Sequence, residues 1–319
     1  MTTIRKIGGL VILTSFFLSP VNAEAVNGSY GFTLSPSIGI LYGHSEEIVY
    51  NDPPRQNLYM SELLWDLKPL LYAGLGADFQ PRDPASRQGF AAALSFKAGL
   101  PTRTGIIENR DWLHHNENYL TNYSRHDAYS ETAILLDVSA GYFWRFFNSV
   151  NLNVHGEFSY MHFPWSAKDG YTQYPQEPWD NAPPWDSNLP KNNVYGEVLK
   201  YKQNWFIFSP GLSLDWEMNR LFSLKTRFNY SPLIYSANRD DHPHATFFDY
   251  LSFGHYFKGG GELILSPSPK TSISLSASYK FITGARGDTV QGNTRDKDAA
   301  GAALSALDLG LAVKLKIRE

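Results

Sequence analysis

Apolar residues recurring at every second position, over and over along the chain, constrain the fold more than any other feature. Ile134, Leu136, Val138, Ala140, Tyr142 and Trp144 share one face of an extended segment. Phe222, Leu224, Thr226, Phe228, Tyr230 and Ile234 share another, and so do Leu307, Leu309, Leu311, Val313, Leu315 and Ile317. Ten segments of this kind lie near 30–42, 58–79, 89–99, 134–144, 152–160, 206–216, 222–234, 247–265, 273–281 and 307–317. The opposite parity is polar: Ser223, Lys225, Arg227, Asn229 and Ser231 in one strand, Asp308, Gly310, Lys314 and Lys316 in the last.

A soluble β-sandwich also has strands with one apolar and one charged face, but its strands usually run ~5–6 residues. These segments pass the ~9–11 residues that cross a bilayer on a tilt. Their even number also fits a membrane barrel. The connections alternate in length. Residues 147–150, 217–220 and 266–270 are short turns, whereas 108–131, 166–197 and 285–303 are long and polar. The expected fold is therefore all-β: a ten-stranded antiparallel transmembrane β-barrel, extended above the membrane, with long extracellular loops. The Pro- and Trp-rich 166–197 connection is expected to form a structured rim.

The compartment follows from the start of the chain. Arg5 and Lys6 precede an apolar stretch from Ile7 to Pro20, and Val21-Asn22-Ala23 supplies a small-x-small cleavage site. Residues 1–23 are expected to be a secretory signal peptide and 24–319 a single outer-membrane barrel domain. The formal net charge is −3, which excludes a strongly basic nucleic-acid binder, and no nucleic acid is expected as a partner. With no cysteine the chain has no disulfide framework, no thiol nucleophile and no cysteine zinc site.

Chemistry is sought on the long-connection side. One group is Glu108-Asn109-Arg110-Asp111-Trp112 with His114, His115 and, further on, Ser124-Arg125-His126. A second is Asn238-Arg239-Asp240-Asp241-His242 with His244. They end the third and seventh strands, which can face each other across a ten-stranded mouth. Asp240 and His242 are two apart and so share a face of a strand. A carboxylate beside an imidazole fixes its tautomer and raises its basicity, so that it can deprotonate water. A solvated turn is the plain alternative, and His-x-His with carboxylates is also an adequate metal-ligand set. The reading assigns no metal. Spacing alone leaves an enzyme and a binding barrel equally open.

Read together, the motifs resemble those of the omptins, outer-membrane aspartate–histidine endoproteases of Gram-negative bacteria. The resemblance rests on IGILYGHSEEIVY (38–50), SELLWD (61–66), Asp111-Trp112, Ser124-Arg125-His126, Tyr201-Lys202-Gln203 and Asp240-Asp241-His242, in order along the mature chain. It implies an aspartic-type endopeptidase with a water nucleophile and no covalent acyl-enzyme. Asp240 would orient His242, His242 would be the base, and Asp111 would belong to the carboxylate pair opposite. Ser124 and His126 would support the rim. Glu47 and Asn238 would bind substrate, Glu47 lining the pocket for a basic side chain.

The chain departs from the family pattern at three places. Asn109 replaces the first Asp of an Asp-x-Asp-Trp motif, and an amide neither takes a proton nor carries charge. Asn238 replaces a second pocket acid. His162 falls where the family has an arginine that contacts lipopolysaccharide. The resemblance further implies a monomer in the outer membrane with its active site facing the exterior and polypeptide substrates at the cell surface. It implies no cofactor, with lipopolysaccharide or another outer-membrane lipid as activator. Two other functions are carried forward: a catalytically weak relative acting as an adhesin or surface receptor, and a passive porin suggested by inward Lys225, Arg227, Lys314 and Lys316.

Overall fold

Among the described residues, fourteen strands pair antiparallel into one closed ring, and a two-residue strand, Asn192–Asn193, lies off it on the strand Val150–Gln173. The computed structural model describes residues 30–51, 59–81, 86–114, 116–147, 149–178 and 181–317; the expected signal peptide and His115 lie outside them. The strands are β1 (Tyr30–Tyr50), β2 (Tyr59–Pro81), β3 (Gln88–Gly99), β4 (Thr102–Asp111), β5 (Asn122–Ser130), β6 (Ile134–Phe147), β7 (Val150–Gln173) and β8 (Asn192–Asn193). They continue with β9 (Glu197–Glu217), β10 (Phe222–Ser231), β11 (Ile234–His242), β12 (Ala245–Ser252), β13 (His255–Leu265), β14 (Thr271–Gln291) and β15 (Thr294–Ile317). Four barrel strands are each broken once, into β3/β4, β5/β6, β10/β11 and β12/β13. The ring therefore has ten strands, and β15 pairs with β1 to close it.

The breaks have local causes. Pro101 and Pro232 have no N–H to give a ladder, and Phe253 and Gly254 both adopt positive φ. Below the breaks, the apolar parity faces outward: Phe208 is 70% exposed and Leu275 60%. Aliphatic and aromatic side chains this exposed, ringed around a barrel, form a lipid-facing belt. Charged residues of the opposite parity meet inside. Lys97 lies 2.5 Å from Asp308, Lys258 2.8 Å from Asp137 and 2.9 Å from Glu157, and Arg227 3.1 Å from Glu157. Lys314 pairs with Glu262 at 2.8 Å. Of the inward cations that suggested a pore, Lys225, Arg227 and Lys314 are thus engaged with acids that help fill the lumen.

Above this layer the inward residues turn aromatic. Trp65 stacks on Tyr201 at 5.6 Å and packs against Trp165 at 5.8 Å, and Phe163 stacks on Trp165 at 5.4 Å. Trp65, Trp165, Trp205 and Tyr201 are fully buried and form the core.

Much of what reads as long polar connection is strand. The 108–131 segment holds the end of β4 and all of β5, and β7 runs on to Gln173. The 285–303 segment is the tip of a hairpin in which Gln291 pairs with Thr294 around a two-residue turn, with Gly292 at φ 58°. Above the membrane the outer face meets water, so the apolar parity disappears while the ladder continues. The rest of the rim is tied down: Gln173 Nε2 donates to the carbonyls of Ser187 and Leu189, and Trp185 packs on Tyr123 at 5.3 Å.

Candidate active-site groove

The upper ends of β1, β2 and β4 on one side and of β11, β12, β14 and β15 on the other enclose a groove of about 640 Å³. Glu47, Asn109, Asp111, Asp240 and His242 all line it. Its floor is the aromatic core, where Gln203 accepts from Ser45 Oγ and Trp205 Nε1, both at 2.7 Å.

Strand alternation builds the first wall. Asn109 and Asp111 point inward from β4, where Ser61 of β2 pairs with Asp111 and Leu63 with Asn109. Ser61 Oγ donates to Asp111 Oδ1 at 2.7 Å and lies 3.0 Å from Asn109 Oδ1. The neighbouring Asn109 amide, like Ser61, favours the charged form of Asp111. Burial pushes the Asp111 carboxyl up to about 6, against the opposing pull of these two groups.

Asp240 and His242 build the second wall from alternate positions of β11. His242 Nε2 donates to Asp240 Oδ2 at 2.5 Å. That bond leaves Nδ1 as the nitrogen able to take a proton. Phe247 meets the imidazole edge-on at 5.7 Å. The Asp240 hydrogen bond raises the His242 pKa above its ordinary 6.5, burial opposing it. The same alternation sends Asp241 to the other face, where it binds Arg239 at 2.8 Å and Thr246 at 2.8 Å. The run from Asp240 to His244 is therefore split between two faces and does not converge on one point.

Glu47 enters from β1. Its carboxyl accepts from Trp65 Nε1 at 3.3 Å. Burial, and then the charges of Asp240 and Asp249, hold it well above the usual carboxylate range. Glu47 and Asp240 thus place two buried acids side by side, with His242 bonded to Asp240.

The remaining sequence-nominated residues lie behind the groove. Asn238 faces inward one step below Asp240, where its Oδ1 accepts from Ser236 Oγ at 2.7 Å and from the Asn204 N–H at 3.3 Å. Ser124 pairs across from Asn109 on β5, and His126 across from Ile107. His126 Nδ1 donates to the Asp169 carbonyl at 2.6 Å, and burial lowers its pKa. With its Nδ1 spent on main chain, His126 props the rim and forms no dyad with Ser124. On the outer wall, His162 Nδ1 is bound to Asn204 Oδ1 at 2.8 Å.

Sequence reasoning missed Ser61 as the donor that holds Asp111, and it missed Asp249 and Thr289. Asp249 sits inward on β12 opposite Asn238, with Thr289 of β14 on its other side. Thr289 Oγ1 donates to Asp249 Oδ1. Asp249 lies in the weakly alternating 247–265 span and belongs to no motif. Only the period-two parity of β12 could have placed it in the groove.

Comparison with known proteins gives matches on both sequence and structure. A family model described as the Omptin family matches residues 28–316. Over 214 residues the chain is 23% identical to a plasminogen activator of Yersinia pestis, an alignment covering 66% of this chain. It spans 62% of that relative, short of two thirds of its length. The structure is similar to that of the outer membrane protease OmpT from Escherichia coli, with TM-score 0.78 and 18% identity over 91% of this chain and 98% of that one.

Proposed function

The chain belongs to the omptin family of outer-membrane β-barrels, and from that membership we propose that it is an endopeptidase whose Asp240–His242 couple activates water. The observation that carries the reading is the 2.5 Å contact between Asp240 and His242 in a groove whose facing wall presents Asp111. His242 Nδ1 takes a proton from a water that the Asp111 carboxylate holds. The resulting hydroxide adds to the scissile carbonyl, and the imidazolium returns its proton to the leaving amine. No side chain bonds to the substrate. Asp240 fixes the tautomer and offsets the charge on the imidazolium. Ser61 and the Asn109 amide aim Asp111, so one carboxylate acts on this wall where the family pattern has two.

Glu47 stands beside the couple as a substrate-pocket wall, with Asn238 beneath it, and the substrate is a polypeptide at the cell surface cut near a basic residue. Short turns at one end and long connections at the other support a groove that faces the exterior. Outer-membrane lipid, lipopolysaccharide included, is proposed as activator. A depression on the outer wall lined by Arg103, Lys168 and Lys202 supports that reading. The barrel acts as a monomer.

Asn109 favours a second reading, a surface receptor or adhesin with little turnover, because the amide removes one carboxylate from the water-holding wall. Quenched peptides with varied residues before the scissile bond, offered to the folded barrel with and without lipopolysaccharide, separate the two. Cleavage lost in His242→Ala is expected. Cleavage equal in that variant overturns the protease reading, and ligand capture that survives His242→Ala without any turnover favours the receptor.

A further inference from the structure

Six acidic side chains are buried among the described residues: Glu47, Asp66, Glu157, Asp240, Asp249 and Asp308. Lysine or arginine pairs with three of them: Lys68 with Asp66, Lys258 and Arg227 with Glu157, and Lys97 with Asp308. Asp240 has His242. Glu47 and Asp249, 4% and 5% exposed, have no cationic partner among the described residues, and both line the groove. An acid buried without a counter-charge is costly unless something completes it.

A second observation lies across the ladder. Asn238, 3% exposed, faces inward on β11 directly opposite Asp249. Its Oδ1 is taken, and its amide nitrogen has no acceptor among the described residues. At one place the described residues therefore leave a buried acid without a cation and a buried donor without an acceptor.

We propose that Asp249, held by Thr289, supplies the anionic contact for a cationic side chain of the substrate, while Asn238 stays neutral beside it. The inference rests on the proteolytic reading of the groove and names its specificity residue. Apolar walls from Ile48, Leu63 and Phe247 lead to the acids. They suit the long aliphatic stem of arginine or lysine, with the charge at the far end. Burial holds Glu47 well above the usual carboxylate range, whereas Asp249 is pushed up only to about 6, by burial and then by Asp240. At neutral pH Asp249 is thus the pocket acid with charge to offer.

The test measures binding apart from turnover. Acetyl-arginine methylamide and acetyl-citrulline methylamide are titrated by calorimetry into the folded barrel at neutral pH, for wild type, Asp249→Asn and Thr289→Val. The two ligands match in shape and differ in charge. Wild type is expected to prefer the arginine ligand by about tenfold or more. Asp249→Asn should erase most of that ratio, and Thr289→Val should reduce it in the same direction. A heat-modifiable gel band shows that each variant has folded. Equal affinity for the two ligands in wild type, or an unchanged ratio in Asp249→Asn, overturns the assignment. Peptide cleavage, assayed separately, tests the other premise: an Asp249-dependent ratio without cleavage sinks the protease reading and leaves the cation contact standing.

Discussion

Asn109 and Asp111 share one wall of the groove, and Ser61 is the hinge of their chemistry. Ser61 Oγ donates to Asp111 at 2.7 Å, and this bond counters the burial that lifts the carboxyl to about 6. Ser61→Ala therefore raises the Asp111 pKa further. The acid limb of the pH–rate profile should move up by about one pH unit, a lost hydrogen bond of about 1.4 kcal/mol. Asn109→Asp places a second carboxylate beside the first. Turnover should rise about tenfold, and the acid limb should also move upward, because two adjacent carboxylates resist ionising together. Steady-state kinetics from pH 5 to 9 reads both. At this scale the sequence was informative where side chains fall in short motifs: Asp111, Asp240 and His242 were nominated from motif and spacing and now line one groove. Asp249 was not legible, because nothing local distinguishes a functional aspartate from a solvated one. Its position depends on the pairing of β12 with β11 and β14.

At the scale of elements, parity is what the chain encodes most plainly. It marks a strand wherever one face meets lipid, as in β6, β10 and β15, and fades where both faces are polar. Asn122-Tyr123-Ser124-Arg125-His126 is strand in β5, yet it reads as loop because its outer face no longer needs to be apolar. Closure of the ring also depends on close approach. A Cβ on Gly43 of β1 would run into the Ser305 carbonyl of β15, whereas one on Gly156 would meet nothing within 4 Å. Gly43→Val should sharply lower the yield of heat-modifiable folded barrel, and Gly156→Ala should leave it near wild type. Equal yields would mean that the β1–β15 seam tolerates separation.

The whole molecule is layered: ion pairs inside the membrane-level lumen, an aromatic layer above them, and the groove on top. The lower layers hold the walls that bring β4 and β11 together around a common space. Lys258 is the hub of one ion-pair group, 2.8 Å from Asp137 and 2.9 Å from Glu157. Removing one partner of a buried pair leaves an uncompensated charge. Lys258→Met should therefore cost about 3–5 kcal/mol in urea unfolding from lipid vesicles. The central claim is that Asp240 and His242 act as one base, and the pH dependence of kcat/KM for wild type and Asp240→Asn tests it most directly. His242 must be neutral to act, and Asp240 raises its pKa above 6.5. Wild-type activity should thus fall with acidification from above 6.5, with Asp111 titrating in the same window near 6. Asp240→Asn should lower kcat/KM by about 10²–10⁴-fold and shift the residual limb to lower pH. A variant that keeps the wild-type rate and the wild-type limb would contradict the account.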